Sequence, residues 1–184
     1  MIPLSKNPPS RFPAEPITMT DAPWWVAKVK PRQEKALAFD LMERSIEYYL
    51  PMYKKTTRRR DNNKPRKTIL CLFSGYISFR PALRTERTIF ATNRVVSLVQ
   101  VRNQTHFVKQ LNQIYHTLDL GVALEPCPHA ADLAPGQPVE VVAGPMRGIT
   151  GTVIKMQSTQ KLILSVDILG KAAVTIDASL IKPL

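Results

Sequence analysis

Bulky and polar residues alternate from Trp24 to Lys30 (WWVAKVK), the period of two that predicts a half-buried strand. Pro31 ends that run and opens QEKALAFDLMERS, a stretch rich in helix formers. Its apolar residues cover a broad face, with Leu37 and Leu41 as one pair and Ala38 and Met42 as another. Glu34 near its start and Arg44 near its end suit the helix dipole. Ile46 to Leu50 (IEYYL) is β-prone and stops at Pro51. The stretch 54–67 is polar, basic and centred on Asp61-Asn62-Asn63, which predicts a loop. Two short strands follow, Thr68–Leu72 and Gly75–Phe79, around Ser74-Gly75. Ile89–Phe90 and Val95–Val101 supply further strand signal. From Thr105 a second helix shows the amphipathic spacing Val108, Leu111, Ile114/Tyr115, Leu118. This order predicts an α/β N-terminal domain, a mainly antiparallel sheet with helices packed on one face.

Periodicity is lost over 119–134, which turns acidic and holds two prolines, and so predicts a linker. From Pro135 the pattern becomes short β-runs cut by glycines (PVEVVA, GPMRG, GTVIKM, KLILSVDIL, AAVTID), as in a small all-β SH3-like barrel. The proline-rich residues 1–21 read as a flexible leader. The expected organisation is therefore leader 1–21, first domain 22–118, linker 119–134 and barrel 135–184.

Composition narrows the class. At 44% hydrophobic and 22% charged the chain is globular. Its longest near-apolar run, 69–79, is far short of the roughly 20 residues that cross a membrane, and prolines interrupt its N-terminus where a signal peptide is apolar. No membrane association or export is expected, and the location read from this is cytoplasmic. Cys71 and Cys127 read as free thiols of a reducing compartment. His106, His116 and His129 lack metal-ligand spacing, so no metal and no cofactor is expected. Charge is the informative quantity. Of a net +12, residues 21–118 carry 19 Lys/Arg against 7 Asp/Glu, while the other segments cancel one another. Such segregation points to a polyanion-facing first domain and a near-neutral second one.

WWVAKVKPRQEKA, LMERSIEYYLP, LFSGYISF and IFATNRVVSLVQV together resemble the N-terminal domain of the NusG family. GQPVEVVAGPMRGITGTV with LILSVDILGKAAVTI resembles the KOW domain that follows it in that family. The run into YYLP and a basic loop is similar to the specialised branches, RfaH, UpxY and LoaP. The resemblance implies a monomeric factor whose first domain sits on the RNA polymerase clamp helices and suppresses pausing or termination. It implies that the KOW domain recruits a second partner, Rho or a small-subunit ribosomal protein.

Carried over residue by residue, the polymerase-facing depression maps to Phe73, Tyr76, Ser78 and Lys28. Alternation on 75–79 gives Ile77 and Phe79 to the core and Tyr76 with Ser78 to the outer face. Ser78 stands where the family places an aromatic, so the depression is more polar here. Arg58, Arg59, Arg60, Lys64, Arg66 and Lys67 are six cations within ten residues, and no neighbouring apolar residue could pack them. Arginine forks suit phosphate oxygens, and without interleaved aromatics backbone contact outweighs base stacking. The expected ligand is non-template or upstream DNA at the bubble edge, or RNA. With about four phosphates engaged, log affinity falls against log salt with a slope of roughly −3. In the KOW domain the partner surface maps to Met146, Ile168, Leu169 and Lys171, and Ile168 could equally alternate inward as core.

Catalysis finds no support. No Ser/His/Asp arrangement or paired carboxylates can be placed, and GPMRGITG lacks the GK[ST] ending of a phosphate loop. The alternative is a KOW-type ribosomal or RNA-binding protein, which would carry its charge on the barrel. Here the charge sits on the first domain.

Overall fold

The computed structural model describes residues 7–20, 22–60, 63–81, 85–127, 136–156 and 159–184. They fall into two units, Met1–Arg102 and Asn103–Leu184. The first unit runs β1 (Arg11–Phe12), β2 (Trp25–Val29), α1 (Glu34–Glu43), β3 (Glu47–Tyr49), β4 (Met52–Arg58), β5 (Pro65–Cys71), β6 (Tyr76–Arg80), α2 (Thr85–Ala91) and β7 (Val95–Gln100). Five of its strands make a sheet in the order β1-β3-β6-β2-β7, with every neighbouring pair antiparallel. Strands β4 and β5 form a separate two-stranded sheet.

One face of the five-stranded sheet builds the core. Ala27, Val29, Tyr48, Ile77, Phe79 and Val95 point from the strands toward Leu37, Ala38 and Leu41 of α1 and Ile89 of α2. Leu37 and Leu41 are fully buried, and each contributes about 1.5–3 kcal/mol by leaving water. The four-residue spacing seen in the sequence is what lands both on this face. At the start of α1, Gln33 makes no side-chain cap. The buried Glu34 carboxylate instead accepts from Gly75 N at 2.7 Å, which ties the helix to the turn before β6.

Three local expectations are corrected in this unit. Residues 7–20 are not a flexible leader, because β1 pairs with β3, Tyr48 Oη donates to Pro9 O at 2.9 Å and Ile17 is buried. Prolines forbid a central strand but not this edge position. The basic stretch 54–67 is not a loop but most of a hairpin with seven residue pairs from Met52↔Cys71 to Arg58↔Pro65. Thr56, Thr57 and Thr68 supply β-branched character, and backbone pairing needs no apolar side chain. Ile89–Phe90 is helical. Ile89 is buried and Phe90 exposed, a single inward contact that suits a seven-residue helix as well as a strand.

The second unit begins with α3 (Gln104–Asp119), capped by Asn103, whose side chain accepts from His106 N at 3.0 Å. There follow β8 (Glu125–Pro126), β9 (Gln137–Val141), β10 (Thr150–Met156), β11 (Thr159–Val166), β12 (Gly170–Thr175) and β13 (Ile181–Pro183). These form one antiparallel sheet in the order β13-β9-β10-β11-β12-β8. At Gly151 an added Cβ would lie 2.6 Å from Ile163 O, so only glycine lets β10 and β11 approach this closely.

Helix α3 is hydrogen-bonded to this sheet. Gln110 accepts from Asp167 N at 3.0 Å and donates to Asp167 Oδ1 at 3.1 Å, and Gln113 donates to Thr150 Oγ1 at 2.9 Å. Amphipathic spacing shows that a helix buries a face; it does not show against what. Part of the expected linker is strand β8, held on β12. Residues 128–135 lie outside the described ones, and GPMRG is a turn between β9 and β10.

Candidate functional site

The cationic hairpin is anchored at its base. Leu50, Pro51 and Leu72 are buried, Leu72 N donates to Pro51 O at 2.8 Å, and Lys35 Nζ donates to Ile69 O at 2.6 Å. Beyond this base the two strands leave the protein interior, and every residue from Lys54 to Arg60 is exposed. The tip is closed by Arg59 N to Lys64 O at 3.0 Å and Asn63 N to Arg59 O at 3.1 Å, with Asn63 in the left-handed region. Asparagine tolerates that conformation better than most residues.

Register and alternation sort the cations. Arg58 and Lys67 share one face with Lys54; Arg66 shares the other with Lys55. Arg59, Arg60 and Lys64 lie at the tip, beside Asp61 and Asn62, which are outside the described residues. The six cations expected to act together are thus brought together. Lys54 and Lys55 join them and were missed. Their signal was the KKTT stretch, whose threonines suit a paired strand, and charge alone hid it.

The polymerase-facing set is not brought together as expected. Lys28 and Tyr76 are cross-strand partners; Lys28 is exposed and Tyr76 half-buried. Ser78 is fully buried with its Oγ donating to Tyr49 O at 2.9 Å, and Phe73 is only 5% exposed. Alternation is right that Ser78 lies opposite the Ile77/Phe79 face. It cannot show that the outer face is covered there too, where cross-strand Val26 is also fully buried. Near that face the buried Arg80 pairs with Glu47 at 2.8 Å, lies 4.7 Å from the Trp24 ring centroid and donates to Thr18 O. Burial raises the Glu47 carboxyl pKa above the usual range, although Arg80 opposes that shift.

In the second unit Met146 and Leu169 are buried, which corrects their expected outward role. Ile168 is 41% exposed at positive φ in the turn between β11 and β12, and Lys171 is exposed beside it. Ile168 therefore points away from the core because the turn interrupts strand alternation before it.

Cys71, on β5 beside the hairpin base, is a free thiol with its pKa pushed up to about 11, first by burial and then by the Glu34 charge, against Lys35. Native Cys71 should alkylate at pH 8 about a hundredfold more slowly than an ordinary exposed thiol. Peptide mass spectrometry after timed iodoacetamide treatment reads this, and rapid native labelling would contradict the packing at the hairpin base.

Among the described residues no group of three or more His, Cys, Asp or Glu could hold a metal, and no helix is long and apolar enough to cross a membrane. The architecture is a mainly antiparallel α/β sheet unit with a cationic hairpin, followed along the chain by a small β-sheet unit carrying one helix. A family model described as transcription termination factor nusG matches residues 22–118. The chain belongs to the NusG family, and so is of the transcription elongation factor kind, a family of transcription factors and not of enzymes. The fold is similar to that in the structure described as domain interaction in Thermotoga maritima NusG, at TM-score 0.50 and 12% identity over 88% of this chain and 97% of that one. A chain from the MjSpt4:Spt5 complex overlaps at TM-score 0.29 and 17% identity, over 88% of this chain and 96% of that one. No curated protein sequence matches.

Proposed function

We propose that this protein is an elongation or antitermination factor that binds RNA polymerase through its sheet unit and touches nucleic acid through its hairpin. One observation carries this reading: the region matching the family model bears an exposed, base-anchored hairpin with cations on both faces. The polymerase contact centres on Tyr76 and Lys28, the outward members of the expected set, with the clamp helices as the surface they meet. The hairpin lies on DNA at the upstream edge of the transcription bubble. The turn at Ile168 and Lys171 recruits a second partner, Rho or a small-subunit ribosomal protein. The hairpin's length favours a specialised, operon-specific member. A genome in which this is the only NusG-type gene would sink that last point.

The test is a pull-down against RNA polymerase followed by single-round elongation with and without Rho. Wild-type protein is expected to be retained and to shorten pauses. Tyr76→Ala should weaken retention several-fold with an unchanged melting curve, since Tyr76 is only half-buried. Loss of binding together with a collapsed melt would make Tyr76 a packing residue, and no retention of wild type would remove the polymerase reading.

A further inference from the structure

A flexible cationic loop can follow any line of phosphates, but a paired ribbon presents its charges in fixed directions. Strands β4 and β5 make a sheet of their own, on which Lys54 to Arg60, Lys64, Pro65 and Lys67 are exposed and Arg66 is half-buried. Between Met52 and Cys71 the sequence holds eight Lys/Arg and one acid, Asp61. Lys54, Arg58 and Lys67 project to one side, Lys55 and Arg66 to the other, and Arg59, Arg60 and Lys64 crown the tip. A single strand offers one row of phosphates, which one face can neutralise while the opposite face keeps its mutual repulsion. A duplex groove offers two rows, one for each face.

Dimensions select the groove. A ribbon with side chains on both faces is about 10 Å thick, judged from the spacing of stacked sheets. The major groove of B-DNA is about 12 Å wide and the minor about 6 Å. The major groove of A-form RNA is too deep and narrow for side chains to read. We propose, building on the nucleic-acid reading above, that the β4–β5 ribbon enters the major groove of duplex DNA tip first. At about 3.3 Å per residue, a groove about 8.5 Å deep takes two or three residue pairs at the outer end of the ribbon. Arg59, Arg60 and Lys64 then lie within the groove, while Arg58 and Lys67 on one face and Lys55 and Arg66 on the other meet the phosphates of its two walls.

The test uses the full chain and fluorescence anisotropy on three labelled probes of one sequence: a DNA duplex of two helical turns, its single strand, and the RNA duplex. The DNA duplex should bind about tenfold or more tighter than either of the others. Arg58→Gln with Lys67→Gln, and separately Lys55→Gln with Arg66→Gln, should each weaken duplex binding several-fold. Each pair should reduce the salt slope by about 1.8, the value for two phosphates. Methyl green, which occupies the major groove, should displace the protein; netropsin, which occupies the minor groove, should not. Equal binding to the single strand or RNA duplex, loss confined to one face, or displacement by netropsin alone overturns the groove proposal. If neither pair nor exchange of all three tip-proximal arginines alters binding to any probe, the nucleic-acid reading of the hairpin falls instead. Melting curves of each variant confirm that the fold is retained.

Discussion

Exchanging Arg58, Arg59 and Arg60 for glutamate lowers affinity for DNA by about a hundredfold or more at about 50 mM salt, and by much less as salt rises. Three charge-assisted phosphate contacts at roughly 1 kcal/mol each already amount to about a hundredfold. The three carboxylates then add repulsion, which salt screens because the tip is in water. All three arginines are exposed, so the melting curve should not move. Anisotropy titrations at several salt concentrations check this. A loss that stays constant with salt would point to damaged structure, and no loss would take the hairpin out of the mechanism. The outcome also separates the hairpin from the rest of the charge, since the exchange leaves the other cations of residues 21–118 untouched.

Phe79→Ala should destabilise the first unit by about 4 kcal/mol, the usual cost of emptying a fully buried aromatic site. Small domains are stable by only about 5–15 kcal/mol, so most of that margin goes. The midpoint of thermal unfolding should fall by about 20 °C for a unit of this size. Phe79 sits opposite Trp25 and Tyr48 in neighbouring strands and packs in the cluster holding Leu37 and Leu41. Two residues along the same strand, Ser78 and Tyr76 give contrasting expectations from Phe79 and from each other. Ser78→Ala removes a buried hydrogen bond to Tyr49 O, whereas Tyr76 is half-buried and tolerates truncation. Urea unfolding curves decide. A change below about 1 kcal/mol for Phe79→Ala would mean the sheet does not bury that face.

Much of the fold was legible because it follows from local rules. The strand at WWVAKVK, the helix spacing of Leu37 and Leu41 and the inward Ile77/Phe79 pair appear as read, although the strand is buried on both faces at Val26 and Ala27 and not on one. These signals are strong because each places several residues on one face at once. The errors fall where the local signal is thin or ambiguous. Ile89–Phe90 offers only two apolar residues, too few to carry a period. Met146 and Leu169 were carried over by resemblance, and only packing could show that both are buried.

The feature on which the proposed function turns, the cationic hairpin, illustrates the division best. The sequence by itself determined that eight cations gather between residues 52 and 71 and that the first half of the chain carries the net charge. Charge is a property of composition and survives any fold. Only the tertiary structure decided that these cations ride on a paired ribbon with two basic faces, because strand pairing is made by backbone groups that every residue shares. The same holds for Ser78, whose exposure depends on what covers the far face of the sheet, and for α3, whose periodicity announces a buried face but not the surface that buries it. Position along the chain sets which side chains are available; contacts between distant segments set which of them face a partner.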